Sequence, residues 1–479
     1  MSGRILIIDT VATNRILLKV RLETARYQVT TAGSLNEARL QLSLSRWDLI
    51  VIDMSTLGPE AARFTRALRR ESGGAGVPII GVGRFNNAEA RRAVLEAGAD
   101  EVLAKPLNDT LLRARIRSLL RARETEAELR FLEDTGRALG FAEPEAGFDL
   151  SGASASAGGL PLRAAILCAD ATESAALAEA LEQKAGRPAP LWTAEAFLAH
   201  DAMLQAPDVI LIDARPTEST AHDPGWLFRL LADLRSRPDT RHTAQLILTA
   251  HAESEAEIAA MALDMGANDI ATEVAPVDEL LLRLTRLATQ KIRLDRLRAT
   301  VQRSAEAAVT CPLTGLHNRR YALAHMATLL ERHGKGQEDI AALVLDVDHF
   351  KAVNDRFGHA AGDAVLQGIA ARLRDALRRI DLIARIGGEE FLVVIPKLDA
   401  AAAAATGERL RRAMEGAPFV LPDGRSVTLT ISVGVASGAA GGKHPLTPET
   451  LIARADRALY AAKGNGRNQV SLLQDDAAA

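Results

Sequence analysis

With 479 residues, the chain is long enough for roughly three domains of about 150 residues each, and its net charge of -3 gives no electrostatic reason to expect binding to nucleic acid or to an anionic membrane surface. Its two cysteines, Cys168 and Cys311, are too few and too far apart for a disulfide framework or a thiolate metal site, which fits a reducing compartment. No apolar run approaches the ~20 residues of a membrane span and the amino terminus lacks the layout of a signal peptide, so a cytoplasmic protein is expected.

The first part of the chain alternates short apolar strands with helical segments. Strands are predicted at residues 5–8, 49–52, 77–82 and 102–104. This alternation predicts a parallel sheet with helices on both faces. Functional groups of such sheets gather at the carboxyl ends of the strands, where Asp9, Asp53 and Lys105 stand.

The same pattern returns after a helix predicted from residue 108 to about 139 and a flexible small-residue linker at 151–159. Strands predicted at 165–168, 209–212 and 246–248 lead to Asp170, Asp213 and Thr249. Residues 265–269 also resemble residues 96–100. The chain therefore contains an internal duplication of one α/β unit.

A second long helix is predicted at about 277–308. Leu280, Leu287, Leu294 and Val301 recur every seven residues, which is typical of a helix that packs on a partner or transmits a signal. Docking of this helix on its own second domain explains the same pattern. Both interpretations stay open at this point.

The last part of the chain contains the motif Gly387-Gly388-Glu389-Glu390-Phe391, followed by an apolar run that ends at Pro396. Two glycines before an apolar run predict a hairpin turn that leads into a strand. A carboxylate in such a turn can hold a hard cation. An acidic surface turn explains the motif equally well, so the interpretation depends on the residues around it.

Further strands are predicted at 342–347 and at 426–435. Asp346 stands at the end of the first of these, where a carboxylate can bind metal or cap the next helix. Magnesium takes a couple of carboxylates and leaves its other positions to water and phosphate, so Asp346 and Glu389 on neighbouring strands could hold one or two ions.

Several polar residues nearby suit a nucleotide. Lys351 can bind phosphate as a point charge, and Asn354 with Asp363 offers donors and acceptors to a guanine edge. Lys463 and Arg467 add two cations in a glycine-bearing turn. Each of these alone would be an ordinary surface residue, and their joint occurrence favours a nucleotide site.

The motifs together resemble the GGDEF family of diguanylate cyclases. They follow one another at residues 313–320, 346–350, 354–363, 387–391, 431–435 and 458–463. The order of two receiver-like units and a cyclase unit resembles response regulators of the PleD type. One departure is Cys311, where the family usually carries an aspartate that anchors the preceding linker, so the departure concerns coupling more than chemistry.

The resemblance implies a palm-like α/β domain with a four- to five-stranded antiparallel sheet. It implies that two GTP condense to cyclic di-GMP in a symmetric homodimer, with loss of two pyrophosphates. The metal, Mg²⁺ or Mn²⁺, is assigned to Asp346, Glu389 and the carbonyl of Val347. The implied catalytic residues are Glu389, Asp346 and Lys351, and the implied substrate-binding residues are Phe350, Asn354, His359, Asp363, Lys463 and Arg467.

A second nucleotide site is implied by Arg378 and Asp381, which resemble the inhibitory product site of the family. An arginine fork can bind O6 and N7 of guanine, and a carboxylate can accept hydrogen bonds from its amino and imino groups. Arg409 is expected to contribute, although Ala405 replaces a second arginine of some relatives.

The first unit resembles a two-component receiver, with Asp53 as the phosphate acceptor, Asp9 as a metal-binding acid and Lys105 as the phosphate-pairing cation. A histidine kinase or phosphotransfer protein would be its upstream partner. Three positions depart from the usual receiver pattern. Thr10 replaces the second acid, Gly83 replaces the hydroxyl residue after the fourth strand, and Val102 replaces the aromatic residue of the fifth strand. Phosphorylation of Asp53 is a hypothesis, and the usual switch route through a hydroxyl and an aromatic is expected to be absent.

The second unit keeps the acceptor-site residues Asp170, Asp213 and Thr249, but Glu273 stands where receivers carry lysine. A carboxylate at this position would repel phosphate. The second unit is therefore predicted to be an unphosphorylated adaptor that helps to dimerise the chain.

The expected fold class is α/β, with two doubly wound parallel-sheet domains of the flavodoxin-like type followed by the palm-like domain. The predicted domains are a receiver at 1–122, a helix extension and linker at 123–162, an adaptor at 163–290, a signalling helix at 291–309 and a cyclase domain at 310–474. The alternatives are a receiver-controlled effector that binds cyclic di-GMP without catalysis, and a nucleotide hydrolase. The complete set of Asp346, Glu389, Asn354 and Asp363 favours the cyclase.

Overall fold

The structure, a computed structural model, describes residues 3–70, 76–85, 87–138, 163–199, 206–217, 225–250, 255–334, 339–439 and 446–473. The predicted linker at 151–159 lies outside these residues. The described residues divide into two compact units. The first contains the residues up to Asp134 and those from 163 to Thr300, and the second contains 135–138 and the residues from Val301 onward.

The first sheet is parallel throughout, as predicted. Its strands are β1 (Arg4–Ile8), β2 (Gln28–Ala32), β3 (Leu49–Asp53), β4 (Ile79–Gly83) and β5 (Glu101–Ala104), in the order β2-β1-β3-β4-β5. The helices between and after them are α1 (Ala12–Thr24), α2 (Leu35–Leu44), α3 (Met54–Leu57), α4 (Pro59–Arg70), α5 (Ala88–Glu96) and α6 (Asp109–Ala138). The strands are apolar on both faces because helices cover both faces of the sheet.

The second sheet repeats this topology, which confirms the internal duplication. Its strands are β6 (Ala164–Cys168), β7 (Leu191–Thr193), β8 (Val209–Asp213), β9 (Ala244–Thr249) and β10 (Asp269–Thr272), in the order β7-β6-β8-β9-β10. Its helices are α7 (Ala171–Ala185), α8 (Ala194–Ala199), α9 (Trp226–Ser236), α10 (Glu255–Met265) and α11 (Val277–Val309).

A buried ring of charges joins the two receiver-like folds. Arg115 of α6 and Arg283 of α11 each form ion pairs with both Glu101 of β5 and Asp269 of β10. All four residues are buried. The two arginines are 168 residues apart (115 to 283), and so are the two acids (101 to 269). They therefore occupy equivalent positions of the duplicated folds, which meet across a local pseudo-two-fold axis.

The first part of α11 docks on the second receiver-like fold. Leu280, Leu284 and Leu287 are buried in the core of that fold. Lys291, which interrupts the apolar seam, forms an ion pair with Asp208 at 2.9 Å. Docking on its own domain is therefore the correct interpretation for this part of the helix. Within the described residues, no helix is both long and apolar enough to span a membrane.

The third sheet forms the core of the carboxyl-terminal unit. Its strands are β11 (His317–Asn318), β12 (Asp339–Val347), β13 (Leu382–Arg385), β14 (Glu390–Pro396), β17 (Ile431–Ala439) and β18 (Val470–Leu472), in the order β11-β13-β14-β12-β17-β18. The helices are α12 (Arg319–Gly334), α13 (Phe350–Phe357), α14 (His359–Ala376), α15 (Ala400–Glu415) and α16 (Pro448–Gly464). Residues of β12 alternate between two apolar clusters because helices cover both faces of this sheet too.

Two details of the predicted sheet are wrong. The sheet is mixed, because the central strands are antiparallel whereas the two edge strands, β11 and β18, pair in parallel. The strand predicted at 426–435 is two strands. Its first residues form β16 (Ser426–Val427), which pairs with β15 (Phe419–Val420) in a separate hairpin, and the chain joins the main sheet only at Ile431.

Candidate active site

The GGEEF motif forms the turn between β13 and β14, as predicted. The amides of Ile386 and Gly387 both donate to the carbonyl of Glu390, at 3.0 and 3.4 Å. Arg385 donates from Nε and Nη2 to the carbonyl of Gly388, at 3.0 and 2.6 Å. A Cβ at Gly387 would meet the carboxylate of Glu390, which would have to move aside.

Cys311 contacts the same arginine. Arg385 Nη1 donates to Cys311 Sγ at 3.4 Å. Burial would raise the pKa of the thiol, but hydrogen bonds with Thr314 and Arg385 hold this pKa below its ordinary value. Through Arg385, the Cys311 sulfur is connected to the GGEEF turn.

The two carboxylates predicted to bind metal lie at adjoining ends of paired strands. Asp346 stands opposite Glu390 in the antiparallel pair of β12 and β14, and the amide of Val347 donates to the carbonyl of Glu389 at 3.3 Å. Lys463 Nζ, near the end of α16, lies 2.7 Å from Asp346 Oδ2. The structure therefore brings the end of β12, the GGEEF turn and the end of α16 into one site.

Both carboxyl groups have pKa values above their ordinary ones. Burial raises the pKa of Asp346, which is 5% exposed, and Lys463 counteracts this only in part. Burial and then the charge of Asp346 raise the pKa of Glu389. A divalent cation would stabilise both groups in the ionised state, because it offsets the loss of water and their mutual repulsion.

The oxygen donors at this site fit a hard divalent cation. Asp346 and Glu389 supply two carboxylates, and the end of β12 supplies the carbonyl of Val347. Among the described residues, no group of three or more His, Cys, Asp or Glu side chains is placed to hold a metal ion. Magnesium commonly takes one or two carboxylates and completes its shell with water and substrate phosphates.

Asp348 has a structural role that the sequence did not reveal. Its carboxylate accepts hydrogen bonds from Thr430 Oγ1 (2.7 Å), Ser432 Oγ (2.7 Å) and the amide of Asn468 (3.0 Å). It therefore ties the end of β12 to the start of β17 and to the loop after α16. That loop carries Arg467, so Asp348 positions the segment that is predicted to face the phosphates.

The residues predicted to bind guanine lie on two consecutive helices. Asn354 is on α13, and Gly358 with φ of 84° starts the turn into α14. A Cβ at Gly362 would overlap Oδ1 of Asn354, so α14 can pack against this amide only because it carries glycine there. Asp363 directly follows Gly362 and is exposed. Both predicted guanine ligands therefore lie beside the contact between α13 and the start of α14.

The Gly362→Ala variant is expected to weaken GTP binding. The added methyl must displace the Asn354 side chain, and loss of one hydrogen bond to guanine corresponds to about a tenfold rise in KM. Steady-state kinetics with GTP measures this rise. Ala360→Ser, which adds one atom to an exposed position of the same helix, is the matched control, and an unchanged KM for Gly362→Ala would contradict the role of Asn354.

The other predicted substrate residues differ in their exposure to solvent. Phe350 is buried in the core, which leaves only its backbone for contact with a nucleotide. Lys351 and His359 are exposed on α13 and α14. Arg467 is exposed in the turn after α16 with φ of 63°, and its amide donates to the carbonyl of Ala462 at 3.1 Å.

The predicted product site forms a tight turn after α14. The amide of Arg378 donates to Asp381 Oδ2 at 2.9 Å, and the amide of Asp381 donates to the carbonyl of Arg378 at 3.0 Å. The Arg378 side chain is exposed. Arg409 of α15 donates to the carbonyl of Ala376, so it lies beside this turn.

The first receiver-like fold brings its three predicted residues together. Lys105 Nζ forms an ion pair with Asp53 Oδ2 and lies 3.6 Å from Asp9 Oδ2. Burial alone would raise the pKa of Asp53, but Lys105 and the amide of Thr56 hold it below its ordinary value. Burial, reinforced by Asp53, raises the pKa of Asp9. The three residues predicted from the sequence therefore meet at one end of the first sheet.

The second receiver-like fold has a cation that the sequence analysis missed. Arg215 donates to both carboxylate oxygens of Asp213, at 2.8 and 2.6 Å, and Ser174 Oγ donates to the same carboxylate at 2.7 Å. The guanidinium comes from the residue two positions after Asp213, a spacing that gave no signal by itself. Arg215 already neutralises Asp213, which agrees with the absence of a lysine at position 273.

Comparisons with known proteins match both parts of the chain. The family "Response regulator receiver domain" matches residues 5–117, and the family "Diguanylate cyclase, GGDEF domain" matches residues 308–469. The Response regulator PleD of Caulobacter vibrioides (strain NA1000 / CB15N) is 34% identical over 471 residues, which are 98% of this chain and 99% of PleD.

Other relatives match the carboxyl-terminal unit. Diguanylate cyclase DgcP of Pseudomonas aeruginosa is 42% identical over 167 residues, which are 34% of this chain and 24% of DgcP. The crystallised GGDEF domain of DgcB from Caulobacter crescentus, in complex with c-di-GMP, is 32% identical, covers 35% of this chain and 94% of that chain, and has a TM-score of 0.33.

Proposed function

We propose that this chain, which belongs to the family of PleD-type response regulators with receiver and GGDEF domains and is a diguanylate cyclase, condenses two GTP into cyclic di-GMP as a symmetric homodimer. The observation that carries the proposal is the joint placement of Asp346, Glu389 and Lys463 at one end of the third sheet. The site has the charges of a nucleotidyl transferase, two carboxylates for a cation and a lysine for phosphate.

In the proposed reaction, Asn354 and Asp363 bind the guanine of one GTP. A divalent cation held by Asp346, Glu389 and the Val347 carbonyl would neutralise charge on the reacting phosphates. Lys463, with Lys351 and Arg467, contacts the remaining phosphate oxygens.

The chemical step is an in-line displacement on the α-phosphorus. Glu389 takes the proton of the 3′-hydroxyl as the general base. The 3′-oxygen forms a bond to the α-phosphorus of the other GTP, the bond to the bridging oxygen breaks, and pyrophosphate leaves with the electron pair. Two such steps close the ring.

A dimer is required because each domain binds one GTP and the product has two-fold symmetry. The 3′-hydroxyl of a GTP bound in one domain cannot close this two-fold ring by attacking its own α-phosphorus. The rate per chain is therefore expected to rise with protein concentration until the dimer is saturated. Turnover of GTP with Mg²⁺, measured over a range of protein concentrations, tests this. Binding of cyclic di-GMP with no turnover at any concentration would instead support a non-catalytic effector.

We also propose feedback inhibition by cyclic di-GMP at Arg378 and Asp381, with Arg409 beside them. The support is the exposed Arg378 side chain on a turn held by Asp381. This surface carries two guanidinium groups that can face a guanine edge.

The Arg378→Ala variant is expected to lose product inhibition while keeping its initial rate. The reason is that a bidentate arginine contact to guanine contributes about 1–3 kcal/mol, which corresponds to inhibition weaker by a factor of roughly 5 to 150. The inhibition constant of added cyclic di-GMP measures the effect, with Arg379→Ala on the same turn as the matched control. Equal inhibition of the variant and the wild type would contradict the site.

The proposed input is phosphorylation of Asp53 in a receiver domain at 1–122, while the domain at 163–290 acts as an adaptor and the helix at 291–309 leads to the cyclase domain at 310–474. A carboxylate oxygen of Asp53 attacks the phosphorus of a phosphoryl donor such as a phosphohistidine. The P–N bond breaks, and the imidazole leaves with the electron pair. The support is the placement of Asp53 between Lys105 and Asp9.

A further inference from the structure

Gly83 stands at the end of β4, where a receiver is expected to carry a residue with a hydroxyl. The residue is buried. A Cβ at this position would lie 2.8 Å from Ser55 Oγ and 3.0 Å from Cζ of the Phe85 ring. Both distances are shorter than ordinary van der Waals contact. The space that a side chain at position 83 would use is therefore already filled by Ser55 and Phe85.

Ser55 reaches this space from α3, which directly follows Asp53. Its amide donates to Asp53 Oδ1 at 2.8 Å, so its position is fixed relative to the acceptor carboxylate. Its Oγ accepts a hydrogen bond from the amide of Arg84 at 2.6 Å. Ser55 thus links α3 to the first residue after β4.

We propose that Ser55 supplies the hydroxyl that binds the phosphoryl group on Asp53, and that Gly83 is the small residue that leaves room for it. This inference rests on the proposed phosphorylation of Asp53. A serine hydroxyl that accepts from one amide keeps its own proton to donate, and a phosphoryl oxygen is a strong acceptor. The hydroxyl function is thereby kept, although it comes from the residue two positions after Asp53.

The same contact gives the phosphoryl group a physical connection to the next helix. Ser55 Oγ holds the amide of Arg84, and Phe85 lies against the same point. These residues precede α5, whose Arg91 forms an ion pair with Glu279 of α11 at 3.3 Å. Movement of Ser55 toward a phosphoryl group would therefore act on the segment between β4 and α5.

The inference is tested with the wild type, Ser55→Ala, Gly83→Ser and the double variant Ser55→Ala/Gly83→Ser, together with two control variants. The full chain is titrated with beryllofluoride and Mg²⁺, and the bound fluorides are followed by ¹⁹F NMR. Ser55→Ala is expected to bind beryllofluoride about tenfold more weakly, since a hydrogen bond to a charged group contributes at least ~1.5 kcal/mol. It should also shift one fluorine resonance.

Gly83→Ser alone is expected to bind more weakly than the wild type, because its Cβ meets Ser55 Oγ at 2.8 Å. The double variant removes that overlap and returns a hydroxyl from position 83. Its affinity for beryllofluoride should therefore recover to within about threefold of the wild type, a smaller loss than the removal of one hydrogen bond would cause. Ser55→Thr keeps the hydroxyl and should bind like the wild type. Thr56→Ala, which removes the neighbouring hydroxyl, is the matched control.

Unchanged affinity and an unchanged fluorine spectrum for Ser55→Ala would overturn the inference, as would a double variant weaker than both single variants. Either result would leave the phosphorylation of Asp53 standing, because the wild type still binds. A wild type that does not bind beryllofluoride would instead overturn the phosphorylation proposal, and this inference with it.

Discussion

The Glu389→Gln variant is expected to lose at least about a hundredfold of its rate of cyclic di-GMP formation. Changes to groups that only support metal ligands typically cost 10- to 100-fold, and Glu389 is proposed both to hold the cation and to accept the proton. Its carboxylate stands beside Asp346 and Lys463 at the end of the sheet. Product formation from GTP and Mg²⁺, followed by chromatography at saturating protein concentration, measures the loss.

Asp339→Asn is the matched control for this variant. Asp339 begins β12 and Asp346 stands near its other end, so the same strand loses a carboxylate at a distance of about 20 Å. The control should keep the wild-type rate. Asp346→Asn combined with Glu389→Gln should be no slower than the slower single variant, since groups that act as a unit are not additive. Full activity of Glu389→Gln would sink the assignment of the site.

The second large effect concerns the charge ring between the two receiver-like folds. Arg283→Met is expected to destabilise this unit by about 3–5 kcal/mol, because Glu101, Asp269 and Glu279 would be left buried with too few cations. The three tryptophans of the chain, Trp47, Trp192 and Trp226, all lie in these folds. Urea unfolding followed by tryptophan fluorescence therefore reports on this unit in the full chain.

Arg296→Met, an exposed position on the same helix, is the control and should change stability by no more than about 0.5 kcal/mol. The double variant Arg283→Met/Asp269→Leu removes one charge of each sign. It leaves Arg115 with Glu101 and Arg91 with Glu279, so it should be more stable than Arg283→Met alone. A double variant that is less stable than the single one would show that unpaired charge is not the cause.

Local patterns in the sequence were sufficient for the long helices and for the central strands of the three sheets. The strands of the duplicated folds are short apolar runs that end in polar residues, and α6 and α11 follow the predicted ranges closely. Asp346 and Glu389 could be paired in advance because each belongs to a motif at a fixed distance from the others. The single strand predicted at 426–435 was wrong because a run of β-forming residues does not show where the chain leaves one sheet for another.

The sequence by itself determined the fold class and the internal duplication, since those depend on periodicity, and motif spacing supplied the residues proposed for the nucleotide site. Only the tertiary structure decided which side chains meet across distant segments. The ring of Arg115 and Arg283 and the contact of Ser55 with Gly83 depend on the packing of separate strands and helices. The physical reason is that a buried charge or a filled space is a property of the neighbours in space, which the spacing of residues along the chain does not record.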